Sequence, residues 1–187
     1  MGPLKIFLLT SLLAASIPGQ QHQTAVDLAL VIAVDVSYSM DIEEQRIQRL
    51  GYVTSFRDRD VIRMIRSGTL GRIAVTYVEW GGSAVQVIPW TIIDSAESAN
   101  GFAAELSRRP LRRISFTSIS NALAFARELF GSSGLASRRR VIDVSGDGPN
   151  NAGAPVPIAR NAAVAQGIVV DGLPIMLGRP DSDAKRW

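Results

Sequence analysis

The chain has no cysteine and a single histidine, His22. Without cysteine there is no disulfide, no thiolate ligand for zinc, no thiol nucleophile and no site for an S-acyl anchor. His22 lies in the N-terminal tail, ahead of the patterned segments, so a buried Ser-His-Asp arrangement has no base. Lysine is scarce too: nearly all of the 20 basic residues are arginine, and no glycine-rich loop with lysine is present to cradle a phosphate. Aromatic residues make up 6% of the chain and do not interleave with the basic ones, which argues against DNA or RNA binding. Past residue 20 no run reaches the ~18 apolar residues that a transmembrane helix requires.

What is present amounts to one domain. The 187 residues are 47% hydrophobic and 20% charged, enough to bury a single core. Residues 1–20 carry Lys5, an apolar block from Ile6 to Ile17 broken by Thr10, Ser11 and Ser16, then Pro18-Gly19-Gln20. That is the pattern of a secretory signal cleaved between Ala15 and Gln20, with a buried N-terminal element as the alternative. Removing Lys5 lowers the formal charge from +3 to +2. The mature chain is expected in the periplasm or secreted from a bacterial cell, held together by packing alone. Arg108-Arg109, Arg112-Arg113 and Arg138-Arg139-Arg140 either attract acidic partners or form solvated faces.

Periodicity then divides the chain. Val26 to Asp35 is an apolar strand, and Asp41 to Ser67 reads as one crossover helix with Ile42, Ile47, Leu50, Val53, Ile62 and Ile65 at mostly helical spacings. Arg72 to Trp80 and Ala84 to Ile93, joined by Gly81-Gly82-Ser83, read as a hairpin, with Pro89 placing the second strand at the sheet's edge. Ala96 to Leu106 is predicted helical, and a further helix begins near Thr117 or Ser118 and ends at Gly131. A fourth strand, Arg140 to Ser145, enters the loop Gly146-Asp147-Gly148-Pro149-Asn150-Asn151; a helix over Ala154 to Gln166 and a fifth strand over Gly167 to Ile175 follow. Strands alternating with helices, around one hairpin, predict an α/β three-layer sandwich with a mostly parallel, Rossmann-like sheet and one antiparallel edge strand.

Such sheets bind ligands just beyond the carboxyl ends of their strands. Asp35 and Asp147 end the first and fourth strands, Ser37 and Ser39 follow Asp35, and Thr117 opens a helix at the same edge. Asp35, Ser37, Ser39, Thr117 and Asp147 offer only oxygen, which suits Mg²⁺ or Mn²⁺ and argues against zinc. Each residue has a plainer reading: Ser39 and Thr117 as helix caps, Asp147 as a turn residue.

Taken together, Asp35-Val36-Ser37-Tyr38-Ser39, Thr117-Ser118-Ile119-Ser120-Asn121-Ala122-Leu123 and Gly146-Asp147-Gly148 resemble the metal-ion-dependent adhesion site of von Willebrand factor type A (VWA) domains. Val78-Glu79-Trp80, Val87-Ile88-Pro89-Trp90, Val141 to Asn151 and Asp171-Gly172-Leu173-Pro174-Ile175 further resemble a bacterial branch, the DUF1194 family, over about Val26 to Met176. The resemblance implies direct binding of the ion by Ser37 and Ser39, binding by Asp35 mainly through water, and binding by Thr117 and Asp147 either way. Two positions depart from the pattern: Phe116 stands where a glycine often precedes the threonine, and Gly146 stands where many members carry threonine. Such domains also continue past the fifth strand with a helix, a sixth strand and a last helix, whereas 177–187 form a short polar tail. A truncated domain over 25–176 is therefore expected, with the fifth strand exposed and open to self-association.

The function expected from this reading is an exported binding module, not an enzyme, that grips an acidic group of a protein ligand through a divalent cation. Glu79, Arg112 and Arg113 are candidates for the ligand rim, Glu79 equally being a strand-end charge. A metal-assisted hydrolase is the alternative from another class, but Asp143 to Asp147 lacks the leading glycine of a nucleophile elbow, and Asp35-Val36-Ser37 lacks a second aspartate to serve as acid. A truncated scaffold with a purely structural ion is the third reading.

Overall fold

A computed structural model describes residues 23–175. The predicted signal over 1–20 and the polar tail over 177–187 lie outside the described residues. No helix of the described residues is long and apolar enough to cross a membrane.

The elements in chain order are β1 (Thr24–Val26), β2 (Leu28–Asp35), α1 (Ile42–Ser55), α2 (Arg59–Arg66), β3 (Ile73–Trp80), β4 (Ala84–Ile93), α3 (Ala96–Arg108), α4 (Ile119–Gly131), β5 (Leu135–Ser137), β6 (Arg140–Gly146), α5 (Val156–Ala165) and β7 (Ile168–Pro174). The main sheet runs β4-β3-β2-β6-β7 and is parallel except for β4. β1 and β5 form a separate parallel pair of three residues each, too short to announce themselves in the sequence.

Both faces of the sheet are covered, which is why its central strands read as continuous apolar runs. Val31 and Ala33 point to one side with Ala74, Val78 and Trp80, under Ala122, Leu123 and Ala126 of α4 and Ala163 of α5. Ile32 and Val34 point to the other with Val75 and Tyr77, against Val53 and Phe56 at the α1 end and Phe102 and Leu106 of α3. The three-layer α/β sandwich is as expected.

Pro89 is on the edge strand as predicted, within a pair of irregularities. Between Val75↔Thr91 and Tyr77↔Ile88, Thr76 alone opposes Pro89 and Trp90. The Thr76 hydroxyl compensates the broken ladder, donating to the Ile88 carbonyl at 2.7 Å and accepting from Gln86 Nε2 at 2.8 Å.

Two expectations are corrected. The single helix over Asp41 to Ser67 is two helices, because the Asp58 carboxylate accepts from the amides of Asp60 and Val61 and starts α2 anew. Within α1 the inward face is not the apolar one: Ile42, Ile47 and Leu50 are exposed, while Gln45, Arg49 and Val53 are buried at a spacing of four. Polar partners on the sheet override the apolar stripe, with Gln48 Nε2 donating to Ser145 Oγ at 2.7 Å and Arg49 reaching Glu79.

Candidate metal centre

At the carboxyl end of the sheet, β2 sits between β3 and β6, so the loops that follow β2 and β6 are neighbours. Asp35 is fully buried there. Its Oδ1 accepts from the Ser37 amide at 2.7 Å. The Ser37 and Ser39 hydroxyls lie 2.7 Å apart, and Ser39 Oγ donates to Asp147 Oδ1 at 2.7 Å. Four of the five expected ligands thus form one contiguous cluster of oxygens.

Thr117 joins the same end of the sheet less directly. Its amide donates to Asn151 Oδ1 at 2.8 Å, and its carbonyl accepts from the Asn151 amide at 2.8 Å, so the loop carrying Asp147 clasps the loop carrying Thr117. Asn150 adds a bond, its Oδ1 accepting from the Ser120 amide at 3.2 Å. Among the described residues no hydrogen bond links the Thr117 side chain to Asp35, Ser37, Ser39 or Asp147. The asparagine pair went unassigned in the sequence; two amides directly after Gly-Asp-Gly-Pro were the available signal.

The plainer readings of the hydroxyls can now be weighed. α1 is capped by Asp41 and Glu44 in a reciprocal box, with bonds of 2.7 and 2.8 Å, and not by Ser39. α4 is capped by Ser118, whose Oγ accepts from the Asn121 amide, and not by Thr117. Neither hydroxyl is consumed by a helix end.

The electrostatics of the cluster are unbalanced. Asp35 Oδ2 is buried without a hydrogen-bond partner. Burial pushes the Asp35 carboxyl up from 3.8 to about 6, and the Asp147 carboxylate adds to the rise, against the hydrogen bonds from Ser37 and the Asp147 backbone. Two carboxylates, one with an orphaned buried oxygen, together with two serine hydroxyls form an all-oxygen set that a divalent cation would fit, and among the described residues neither carboxylate is in an ion pair: Arg112 faces Glu79 and Arg113 the Tyr38 carbonyl. Among the described residues no group of three or more His, Cys, Asp or Glu side chains is placed to hold a metal ion, so the hydroxyls of Ser37 and Ser39 are needed to complete the donor set.

Both departures from the VWA pattern have a structural account. A Cβ on Gly146 would lie 2.8 Å from Asp35 Oδ2 and 3.1 Å from the Trp80 ring, so the buried indole of Trp80 takes the space a larger residue would need. Phe116 keeps the conformation a glycine would adopt, with φ at 64°, the only non-glycine positive φ among the described residues. A left-handed backbone costs a side chain with a Cβ roughly 1–2 kcal/mol. Because Phe116 is 66% exposed, little packing offsets that cost. Phe116→Gly is accordingly expected to leave unfolding free energy unchanged or up to about 1 kcal/mol higher, the glycine's extra unfolded entropy absorbing part of the gain. Denaturant midpoints measure it.

The rim candidates separate. Glu79 does not line a ligand face: it is fully buried, held by Arg49 Nη2 at 2.5 Å, with Arg112 Nε at 3.9 Å from its other oxygen. Burial still raises its pKa, against the pull of Arg49 and Arg112. Arg49 also donates to the carbonyls of Arg109 and Pro110, pinning the loop that leads to Thr117. Arg112 and Arg113 are exposed, and Arg113 donates to the Tyr38 carbonyl at 2.7 Å while its guanidinium lies 5.0 Å over the Tyr38 ring.

Solved structures share this fold. Proximal thread matrix protein 1 from the mussel byssus matches with a TM-score of 0.62 and 20% identity, over 83% of this chain and 40% of that one. A structure of the same protein with a zinc-occupied MIDAS motif matches at 19% identity with the same TM-score and coverage. A von Willebrand factor type A protein from Catenulispora acidiphila matches with a TM-score of 0.58 and 18% identity, over 79% of this chain and 33% of that one. This chain therefore spans well under half the length of these relatives. An aerotolerance-related membrane protein from Bacteroides fragilis, carrying multiple mutations to serines, is covered more fully, 84% of this chain and 74% of that one, with a TM-score of 0.53 and 23% identity. Among curated proteins none matches. Residues 25–186 match the family model described as a protein of unknown function, DUF1194, and the chain is thus a member of the DUF1194 family built on the von Willebrand factor type A fold.

Proposed function

We propose that this protein is an exported binding module that takes up a divalent cation, Mg²⁺ or Mn²⁺, and through it holds an acidic group of a protein ligand. The observation that carries this reading is the continuous run of oxygens from Ser37 through Ser39 to Asp147 beside the orphaned Asp35 Oδ2. Asp35, Ser37, Ser39, Thr117 and Asp147 would hold the ion. When bound, the ion supplies positive charge against two clustered carboxylates and an electrophilic anchor for a third. Five protein groups are fewer than the six oxygens that Mg²⁺ requires, which leaves a place for a partner's carboxylate.

The chain's own residues do the rest. Ser37 and Ser39 orient Asp35 and Asp147 by hydrogen bonds, Asn151 fixes the Thr117 backbone, and Arg112 and Arg113 give the rim a positive charge that favours an acidic partner. Export rests on the Lys5 and Ile6 to Ile17 pattern. Self-association through β7 is the remaining element: among the described residues β7 pairs only with β6, and Val169 and Leu173 are exposed along it.

Titration of the chelator-stripped mature protein with MgCl₂ or MnCl₂ tests the centre. Saturation to a hundred times Kd is expected to add about 2.7 kcal/mol to the unfolding free energy. Immobilised protein should retain envelope proteins in magnesium and release them in chelator. No stabilisation by either ion, or capture indifferent to chelator, sinks the reading.

A further inference from the structure

Only two large aromatic side chains are exposed among the described residues, Tyr38 at 61% and Phe116 at 66%. Neither is scattered on the surface. Tyr38 lies between the candidate ligands Ser37 and Ser39, and Phe116 immediately precedes Thr117. Every other described Phe, Tyr or Trp is at least partly covered.

Both are held in place. Arg113 braces Tyr38 twice, through its carbonyl and over its ring. Phe116 is presented by a left-handed backbone and backed by the Gly81-Gly82 turn, where a Cβ on Gly82 would come within 3.2 Å of the Phe116 Cβ. The Ser115 carbonyl accepts from the Gly82 amide at 2.8 Å, fixing the loop from below. An exposed aromatic kept in an unfavourable conformation, with nothing packed over it, is the arrangement of a preformed contact residue. Charge sets the chemistry of what the two rings meet: Arg113 lies over Tyr38, exposed Arg112 precedes it in the same loop, and two acidic groups lie among the candidate ligands, so a partner must bring negative charge to the cation and to the arginines and apolar surface to the rings.

Resting on the metal-dependent reading above, we infer that Tyr38 and Phe116 form the specificity surface of the centre, selecting a protein segment in which the cation-binding Asp or Glu is flanked by an aromatic or aliphatic side chain and by a second acidic residue. The rings bury the apolar neighbour, the arginines pair with the second acid, and a basic flank is rejected by like charge.

An array of nonapeptides with a central Asp in a Gly-Ser background, the flanking positions varied among Phe, Leu, Ala, Asp and Arg, tests this with the mature protein in millimolar MgCl₂. Peptides with Phe or Leu on one flank and Asp on the other should bind about tenfold more tightly than those with Ala, and Arg flanks should abolish binding. Phe116→Gly and Tyr38→Ser should each erase the apolar preference while retaining the acidic one. Flank-independent binding, unaltered preference in both variants, no peptide binding at all, or retention on an acidic polysaccharide resin in place of peptides overturns the inference. The two readings fail separately. A magnesium response without flank preference removes the specificity surface and leaves the metal centre, whereas flank preference that persists in chelator removes the metal centre and leaves the surface.

Discussion

Asp35→Asn is expected to stabilise the chelator-stripped protein by up to about 2 kcal/mol at pH 7.5, and at the same time to end its response to magnesium. The two effects have one origin. Asp35 is fully buried, its Oδ2 has no partner, and its carboxyl is raised from 3.8 to about 6, so ionising it costs the folded chain more than the unfolded one. Well below pH 4 the group is protonated in both states and costs nothing; between about 4 and 6 the unfolded chain has ionised it and the folded chain has not, so stability falls over that window and levels off above about 6. Asparagine keeps the acceptor for the Ser37 amide and carries no charge, so it removes the ionisation penalty and its pH dependence, while its Nδ2 in the unpartnered place of Oδ2 takes back part of the gain. It also removes the anion that a dication would neutralise. Urea denaturation of both proteins at pH 4.5 and 7.5, with and without MgCl₂, measures all of this. A difference between variant and parent in chelator that does not grow from pH 4.5 to 7.5 would show that the Asp35 carboxylate carries no ionisation penalty in the folded protein.

Arg49→Met is expected to cost about 3–5 kcal/mol, the range for breaking a buried ion pair from one side. Glu79, with no exposed surface, would lose its partner at 2.5 Å and keep only Arg112 at 3.9 Å. Its pKa, already raised by burial, would climb further, so the loss should be largest at neutral pH and shrink as pH falls toward and below the ordinary glutamate value of 4.5, where the carboxyl becomes protonated in both states. Arg49→Met combined with Glu79→Leu should recover most of the stability, since neither charge is then stranded. The double variant should still bind magnesium more weakly than the parent, because Arg49 also ties down the Arg109 and Pro110 carbonyls ahead of the Thr117 loop. Equal losses in the single and double variants would mean that packing, not charge, is what Arg49 contributes.

Much of this architecture is legible in the residues because the central strands are buried on both faces and leave unbroken apolar runs, bounded by glycine and asparagine turns. The end of β2 at Asp35, the hairpin after Trp80 and the edge position of Pro89 all follow from that. The interior of α1 was not legible. Its apolar residues Ile47 and Leu50 face solvent, and what it buries is Gln45 and Arg49, because the sheet beneath offers Glu79 and Ser145 as partners. Periodicity sees hydrophobicity and not a cross-fold ion pair. The same blindness left Glu79 open between the ligand rim and a plain strand-end charge, and its burial against Arg49 favours the second. At the centre, Asp35, Ser37, Ser39 and Asp147 were visible as a set through their joint placement, while the clasp by Asn150 and Asn151 depends on a loop conformation that spacing does not encode.

The candidate ligands lie in segments at or after the ends of β2 and β6 and before α4, and none lies in the outer strands β4 and β7. The border strand β7 nevertheless reaches this set: just past its end the Ile175 amide donates to the Gly146 carbonyl at 2.8 Å, one residue before Asp147, so whatever displaces β7 would also loosen the loop that carries that carboxylate.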